Sequence, residues 1–192
     1  MNKKVIESAI AKLIQDGLGL DLKDPNLSGT PKRVAKMYVD EFFSSVGKRF
    51  TKLKLFPNDV GYNQIIQMDR VYFVSVCSHH LLPFTGYAWF SYIPAKTFVG
   101  ASKIGRMIIH HSNKPQLQEK LSHEILLDFV NRVEPLGAML VMRGIHGCMS
   151  DRGIKQSSLG MTTSAVWGAM EEQSVKEECL DLIKISLLSS LV

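Results

Sequence analysis

The sequence predicts an α+β protein in which an antiparallel four-stranded sheet is backed by a pair of helices. Three observations predict it: apolar residues at helical spacing, segments rich in β-branched and aromatic residues, and the order of these segments along the chain. That order is two helices, two strands, two helices, two strands and a helix, which is typical of an antiparallel sheet with helices on one face. The 192 residues are expected to form an N-terminal helical hairpin over 1–50 and one larger domain over 51–192.

The N-terminal hairpin is predicted from two amphipathic segments. The first covers about residues 2–17 and carries apolar side chains at helical spacing: Ile6, Ile10, Leu13 and Ile14. A polar turn follows it. Thr30 is then expected to cap the second helix, with Pro31 at its first helical position, because proline is favoured there.

The sheet and its helices are predicted from the remaining segments. Residues 71–77 and 87–94 read as a hairpin joined through Thr85 and Gly86, and residues 137–149 and 157–170 read as a second strand pair. Between the pairs, helices are predicted over 102–112 and 115–133, the second with Asn113 and Pro115 as its start signals. A last helix is expected over 171–188.

Composition narrows the class of protein. Three cysteines do not make a disulfide framework, and the first residues read as an amphipathic helix rather than a signal peptide. No apolar run approaches the ~20 residues that span a bilayer, so a cytoplasmic protein without a membrane partner is expected. The net charge of +5 suggests anionic partners. Nucleic acid is disfavoured, because no helix-turn-helix, zinc-finger spacing or aromatic stacking platform is recognisable.

Two clusters of thiols and imidazoles stand out as candidate metal ligands. Cys77, His79 and His80 form the first, and His146 and Cys148 form the second. Residues two apart on a strand face the same side, so His146 and Cys148 could face one point, whereas Cys77 and His80 need a turn between them.

Thiolates with imidazole suit zinc, and a Cys/His/Cys set leaves one tetrahedral position for water. His79 and His146 would then be free for proton transfer. Each cluster alone is more often a buried cysteine beside an ordinary histidine.

Basic residues near these clusters indicate an anion site. Ser102, Lys103 and Arg106 lie at the predicted start of a helix, where free N–H groups favour anions. Arg152 follows Cys148 by four residues. A further basic pair, Arg33 and Lys36, shares one face of the second predicted helix. The alternative is that these charges simply solvate a surface. Glu119 likewise either complements a helix dipole or accepts hydrogen bonds from a guanine edge.

The order of five segments resembles the GTP cyclohydrolase I family. They are TPKRVAKMYVDEFF, CSHHLLPF, YIPAKTFVGASKIGR, PQLQEKL and IHGCMSDRGIKQSS, and they extend over about residues 25–170. This resemblance implies the tunnelling fold and a hydrolase of cyclic amidine C–N bonds. Such an enzyme converts GTP and water to formate and 7,8-dihydroneopterin triphosphate. It also implies a decamer of two pentamers with active sites between subunits. The product could feed folate, biopterin or deazaguanine synthesis.

The resemblance also implies roles for individual residues. One Zn²⁺ per subunit would be held by Cys77, His80 and Cys148, and zinc-activated water would attack C8 of the purine. His79 would be the main acid and base, assisted by His146. The substrate would be bound by two groups of residues. Gln118 and Glu119 would hold the guanine, and the triphosphate would be held by Ser102, Lys103, Arg106 and Arg152, with Arg33 and Lys36 added from a neighbouring subunit.

One residue departs from the family pattern. The family usually has glutamate between the first cysteine and the two histidines, and this chain has Ser78. The swap removes a negative charge close to the proposed metal and substrate. The alternative function is therefore a catalytically impaired protein of the same fold that binds zinc or a purine without turnover.

Overall fold

The computed structural model describes residues 1–189 and divides the chain into two compact units, Met1–Lys48 and a second unit that begins at Arg49. The first unit is helical. Its two helices are α1 (Lys3–Lys12) and α2 (Thr30–Met37), and a π-helical turn follows each of them. Asn2 caps α1 by accepting a hydrogen bond from the Val5 amide.

The start of α2 differs from the prediction by one residue. Gly29 is the N-cap and Thr30 is already helical. The Thr30 hydroxyl accepts a hydrogen bond from the Arg33 guanidinium at 2.9 Å, so it caps no backbone amide within the helix. Pro31 is therefore the second helical residue and not the first, but it still lies in the first turn.

The second unit contains a sheet of five strands and a separate two-stranded sheet. The larger sheet has the order β5-β2-β3-β6-β7, and the smaller one pairs β1 with β4. The strands are β1 (Leu55–Pro57), β2 (Ile66–Cys77), β3 (Pro83–Ile93), β4 (Thr97–Val99), β5 (Pro115–Gln116), β6 (Gly137–His146) and β7 (Gly160–Gly168). The helices are α3 (Ala101–Ser112), α4 (Gln118–Val133), α5 (Gly147–Ser150) and α6 (Gln173–Ser189).

The α+β class and the antiparallel arrangement of the four long strands are confirmed. The main core lies where α3 and α4 pack on the sheet. Its fully buried side chains include Phe90, Phe129, Ile104, Leu121 and Met142. Phe129 contacts the rings of Phe90 and Tyr92, with ring centroids 4.6 and 5.2 Å apart. Among residues 1–189, no helix has both the length and the apolar character needed to cross a bilayer.

The predicted hairpin turn and the predicted start of α4 are wrong. Thr85 and Gly86 lie inside β3, opposite Ile145 and Gly144 of β6, so they do not form the hairpin turn. The turn is instead the loop 78–82. The helix predicted from residue 115 begins at Gln118, because Pro115 and Gln116 pair in parallel with the end of β2.

A half-buried ionic group links α3 to α4. Asp128 accepts hydrogen bonds from His111 at 3.0 Å and from Arg132 at 2.7 Å. Burial alone would raise the pKa of Asp128, but the bonds to His111 and Arg132 outweigh it and lower the pKa. His111 and Asp128 are therefore half-buried partners that join the two helices.

We expect Asp128→Asn to lower the free energy of unfolding at pH 7 by about 1.5–3 kcal/mol, the usual range for hydrogen bonds to a charged group. Because the pKa of Asp128 is lowered by folding, its contribution is present above the carboxyl's ordinary pKa and is lost as pH falls through the folded value. Urea unfolding from pH 7 to pH 3 should therefore show a shallower decline for the variant than for the wild type.

Asp181→Asn is the control, because the Lys184–Asp181 pair is exposed to solvent and should contribute little to stability. Equal losses in the two variants would contradict the prediction.

Candidate metal centre and active site

Three side chains from separate elements converge at one end of the sheet. Cys77 ends β2, His80 lies in the following loop, and Cys148 lies in α5. The ligand atoms of these three residues all lie within 4.8 Å of one another. Ligands at zinc distances of about 2.0–2.3 Å from a tetrahedral ion are roughly 3.5 Å apart, so small side-chain adjustments would let all three reach one ion. Cys77 is buried, Cys148 is partly buried and His80 is exposed.

The loop 78–82 brings Cys77 and His80 to the same place. The Leu81 amide donates to the Cys77 carbonyl at 2.9 Å, and the Cys77 amide donates to the Leu82 carbonyl at 2.9 Å. Leu81 has a φ of +52°, which non-glycine residues adopt at some cost. The turn that the spacing of Cys77 and His80 requires is therefore present.

Cys148 reaches the cluster by a different route from the one predicted. Strand β6 ends at His146, and the chain continues as the helical turn α5, which the Asp151 amide closes by donating to the Gly147 carbonyl at 3.0 Å. The prediction of a strand to residue 149, with His146 and Cys148 on one side of it, is wrong. The two side chains are positioned separately.

The electrostatics of the cluster suit a cation. Burial raises the pKa of the Cys148 thiol, and the neighbouring Cys77 raises it further, while Arg152 lowers it. Two thiolates this close repel each other, and a divalent cation between them removes that repulsion. Two soft thiolate ligands and one imidazole form a set that matches zinc.

His146 lies two residues before Cys148, and its ring is held by two contacts. Its side chain is 8% exposed and its ring stacks on Phe84, with centroids 4.4 Å apart and an interplanar angle of 1°. Nε2 lies 2.9 Å from Oε1 of Gln118. Burial lowers the pKa of His146, and the charge of Glu119 opposes that effect.

Gln118 is fully buried and makes hydrogen bonds at both ends of its amide. Nε2 lies 3.1–3.2 Å from three acceptors: the carbonyl oxygens of Met142 and Met161 and the hydroxyl of Thr163. Sequence reasoning did not find these contacts or the Phe84 stack. The contact partners of Gln118 lie 24–45 residues away along the chain, where no local pattern points to them.

The three residues 116–118 contact both halves of the site. Gln116 pairs with Cys77 in the short parallel ladder, and its carbonyl accepts from the Ser78 amide at 3.2 Å. Gln118, at the start of α4, contacts His146 on β6. One short segment therefore positions both the loop that follows β2 and the end of β6.

The remaining predicted site residues occupy several places. His79 is exposed in the loop 78–82, with its ring centroid 6.2 Å from that of His80. Ser102, Lys103 and Arg106 lie in the first turns of α3, and Glu119 lies in the first turn of α4. Arg152 follows α5 and is exposed.

Arg33 and Lys36 belong to the first unit. The Arg33 guanidinium donates to the Asn26 carbonyl and to the Thr30 hydroxyl there.

The family model and the relatives that match this chain agree on one family. The family model described as GTP cyclohydrolase I matches residues 6–184. The GTP cyclohydrolase 1 of Shewanella sp. strain ANA-3 is 36% identical over 152 residues, which cover 79% of this chain and 70% of the relative. The enzyme of Shewanella loihica is also 36% identical, and that of Shewanella putrefaciens is 35% identical, each over 79% of this chain and 71% of the relative.

Among solved structures, an archaeosine synthase QueF-Like in the apo form matches with a TM-score of 0.46 and 15% identity. It covers 55% of this chain and 95% of that one.

Proposed function

The chain belongs to the GTP cyclohydrolase I family of hydrolases, and we propose that it converts GTP and water to formate and 7,8-dihydroneopterin triphosphate. The observation that carries this proposal is the Cys77–His80–Cys148 cluster, whose ligand atoms lie within 4.8 Å of one another. The antiparallel sheet and its helix pair agree with the tunnelling fold that the family resemblance implies.

Zinc is the metal that we propose for the cluster, one ion per subunit, with Cys77, His80 and Cys148 as its ligands. Two thiolates and an imidazole leave the fourth tetrahedral position open, as in catalytic zinc sites. When bound, zinc would supply a Lewis acid that lowers the pKa of water to about 7, which would provide the nucleophile for C8 of the purine.

His79 and His146 are the proposed proton-transfer residues. C8 of a purine is a poor electrophile, so protonation at N7 is needed, and His79 has the accessible imidazole to provide it. His146 is buried and held by Phe84 and Gln118, which suits a group that moves protons in later ring-opening and rearrangement steps. Both histidines lie next to a proposed zinc ligand or two residues from one.

Binding of the substrate is assigned to charged and polar residues around the cluster. Glu119 would accept hydrogen bonds from the guanine edge. Ser102, Lys103 and Arg106 would bind phosphate oxygens at the start of α3, where the helix dipole adds to their positive charge. Arg152 would join them. The triphosphate takes no part in bond breaking, so these contacts serve positioning.

The assembly is part of the same proposal. We expect a homodecamer of two pentamers, with Arg33 and Lys36 contributed to the triphosphate site by a neighbouring subunit. A cytoplasmic location, without a membrane or nucleic-acid partner, is expected for an enzyme that acts on free GTP.

GTP turnover by the zinc-loaded protein tests the proposal. Formate release and the absorbance of dihydroneopterin triphosphate should rise together. In the His79→Asn protein kcat should fall by roughly 10²- to 10⁴-fold, the usual contribution of a general acid or base. Zinc content, measured by atomic absorption, should be the same in both proteins because His79 is not a proposed ligand.

Ser78 supports the alternative of an impaired protein that binds zinc or a purine, because the family usually has glutamate there. Bound zinc and GTP with no turnover by the wild type would favour this alternative over the cyclohydrolase. Turnover gained in Ser78→Glu would then identify residue 78 as the cause. Full GTP turnover by the wild-type protein would show that serine at position 78 is compatible with activity.

A further inference from the structure

We propose that Gln118 is a positioning residue that holds His146 in the Nε2–H tautomer, so that Nδ1 is the ring nitrogen that exchanges protons. The tautomer is assigned from hydrogen-bond geometry alone. Its catalytic consequence rests on the proposed function, whereas the tautomer itself does not.

The orientation of the Gln118 amide follows from its neighbours. The carbonyl oxygens of Met142 and Met161 lie 3.2 and 3.1 Å from Nε2, and a carbonyl can only accept. If the amide were flipped, its oxygen would face both of these acceptors without a proton between them. The amide nitrogen therefore faces these carbonyls, and Oε1 faces His146.

A chain of hydroxyl groups supports the same orientation. The Ser122 hydroxyl donates to the backbone carbonyl of Gln118 at 2.8 Å. Its oxygen therefore accepts from the Thr163 hydroxyl at 2.6 Å. Thr163 has then used its only proton, and it accepts from Nε2 of Gln118 at 3.1 Å. The Thr163 hydroxyl can therefore only accept at this point, so the end of the Gln118 amide that faces it must be the N–H donor.

The tautomer of His146 follows from the position of Oε1. Oε1 is an acceptor, and it lies 2.9 Å from Nε2 of His146, so Nε2 must carry a proton. This holds for the neutral ring and for the cation alike. The proton on Nε2 is therefore retained, and any proton that His146 takes or gives passes through Nδ1.

Two further contacts fix the ring in place. Stacking on Phe84 sets the plane of the His146 ring. Gly144 leaves room for Oε1, because a Cβ at that position would lie 2.6 Å from it. Gln118 and His146 are both buried, which keeps water from competing for the hydrogen bond.

The first test reads the tautomer directly. Solid-state ¹⁵N NMR of the zinc-loaded protein labelled with ¹⁵N-histidine should show Nε2 of His146 protonated, with the signal assigned by its absence from His146→Asn. A protonated Nδ1 with a bare Nε2 in the wild type would overturn the proposal.

Variants then separate positioning from substrate binding. Gln118→Met removes the acceptor at similar volume, and the single Nε2–H form should be lost. Thr163→Val is the matched control: it removes one partner of Nε2 but keeps Oε1, so the tautomer should be unchanged. A tautomer unchanged in Gln118→Met would overturn the role of Gln118.

Kinetics add a second reading. If Gln118 acts through His146, kcat of Gln118→Met should fall about 10²-fold while KM for GTP changes less than about threefold. A raised KM with unchanged kcat would overturn the proposal and place Gln118 against the substrate. If the wild type does not turn over GTP, the proposed function fails while the NMR result still decides the tautomer.

Discussion

Cys148→Ala is expected to lose its bound metal and its GTP turnover together. Cys148 is the proposed ligand that α5 contributes. Its removal leaves only one thiolate and one imidazole, those of Cys77 and His80. Two ligands hold zinc far more weakly than three, and the proposed chemistry needs the ion. We expect less than about a tenth of the wild-type zinc content and a fall in kcat of at least ~10³-fold. Atomic absorption and formate release measure the two effects.

Cys179→Ala is the matched control. Cys179 is buried in a second apolar cluster with Ile93, Met139 and Met170, and it is not part of the Cys77–His80–Cys148 group. Its removal should leave the zinc content unchanged. A Cys148→Ala protein that keeps full zinc content and turnover would show that the metal is bound elsewhere. Loss of zinc with turnover retained would contradict the proposed role of the metal.

Gly86→Ala is expected to destabilise the second unit severely. A Cβ at Gly86 would lie 1.9 Å from the carbonyl oxygen of Arg143 and 2.8 Å from the Cα of Gly144. These atoms are backbone of the central pair β3 and β6, so no side-chain rotation can relieve the overlap. The strands would have to separate. We expect a loss above about 4 kcal/mol, a large part of the 5–15 kcal/mol that stabilises a typical protein.

Soluble yield and urea unfolding followed by circular dichroism measure this loss. Gly105→Ala is the control, since its Cβ would meet only a Val71 methyl group at 3.8 Å. Residue 105 lies inside α3, where alanine is favoured over glycine by about 0.5–1 kcal/mol, so this variant should be slightly more stable than the wild type. A Gly86→Ala protein as stable as the wild type would mean that β3 and β6 pair less closely than described.

Local patterns were sufficient to predict most elements. The spacing of Leu117, Leu121, Ile125 and Phe129 predicts α4. The last three side chains are fully buried, whereas Leu117 is the exposed N-cap. The Cys and His residues near 77 and 148 identified the cluster, because the types and spacing of metal ligands are visible in a sequence. The start of α4 shows how such patterns can mislead. Asn113 and Pro115 look like helix signals, but pairing with β2 holds Pro115 in a strand.

Features that depend on long-range contacts were not predictable in this way. Gly86 looked like a turn residue, yet it is required where two strands approach closely, and the partner lies nearly sixty residues away. The end of β6 at His146 was missed because the residues that follow are compatible with a strand. The amide contacts of Gln118 join α4 to β6 and β7, and no periodicity encodes them.

The segment 116–118 limits where this protein can change its length during evolution. Gln116 is held by its ladder with Cys77, and Gln118 is held by His146, with only Leu117 between them. Inserting or deleting a single residue here would turn one of the two glutamines to the opposite face, as a register slip does in any extended chain. Substitutions at Leu117, which is exposed, leave both anchors in place. Related chains can therefore vary in side chain at this point but not in residue count.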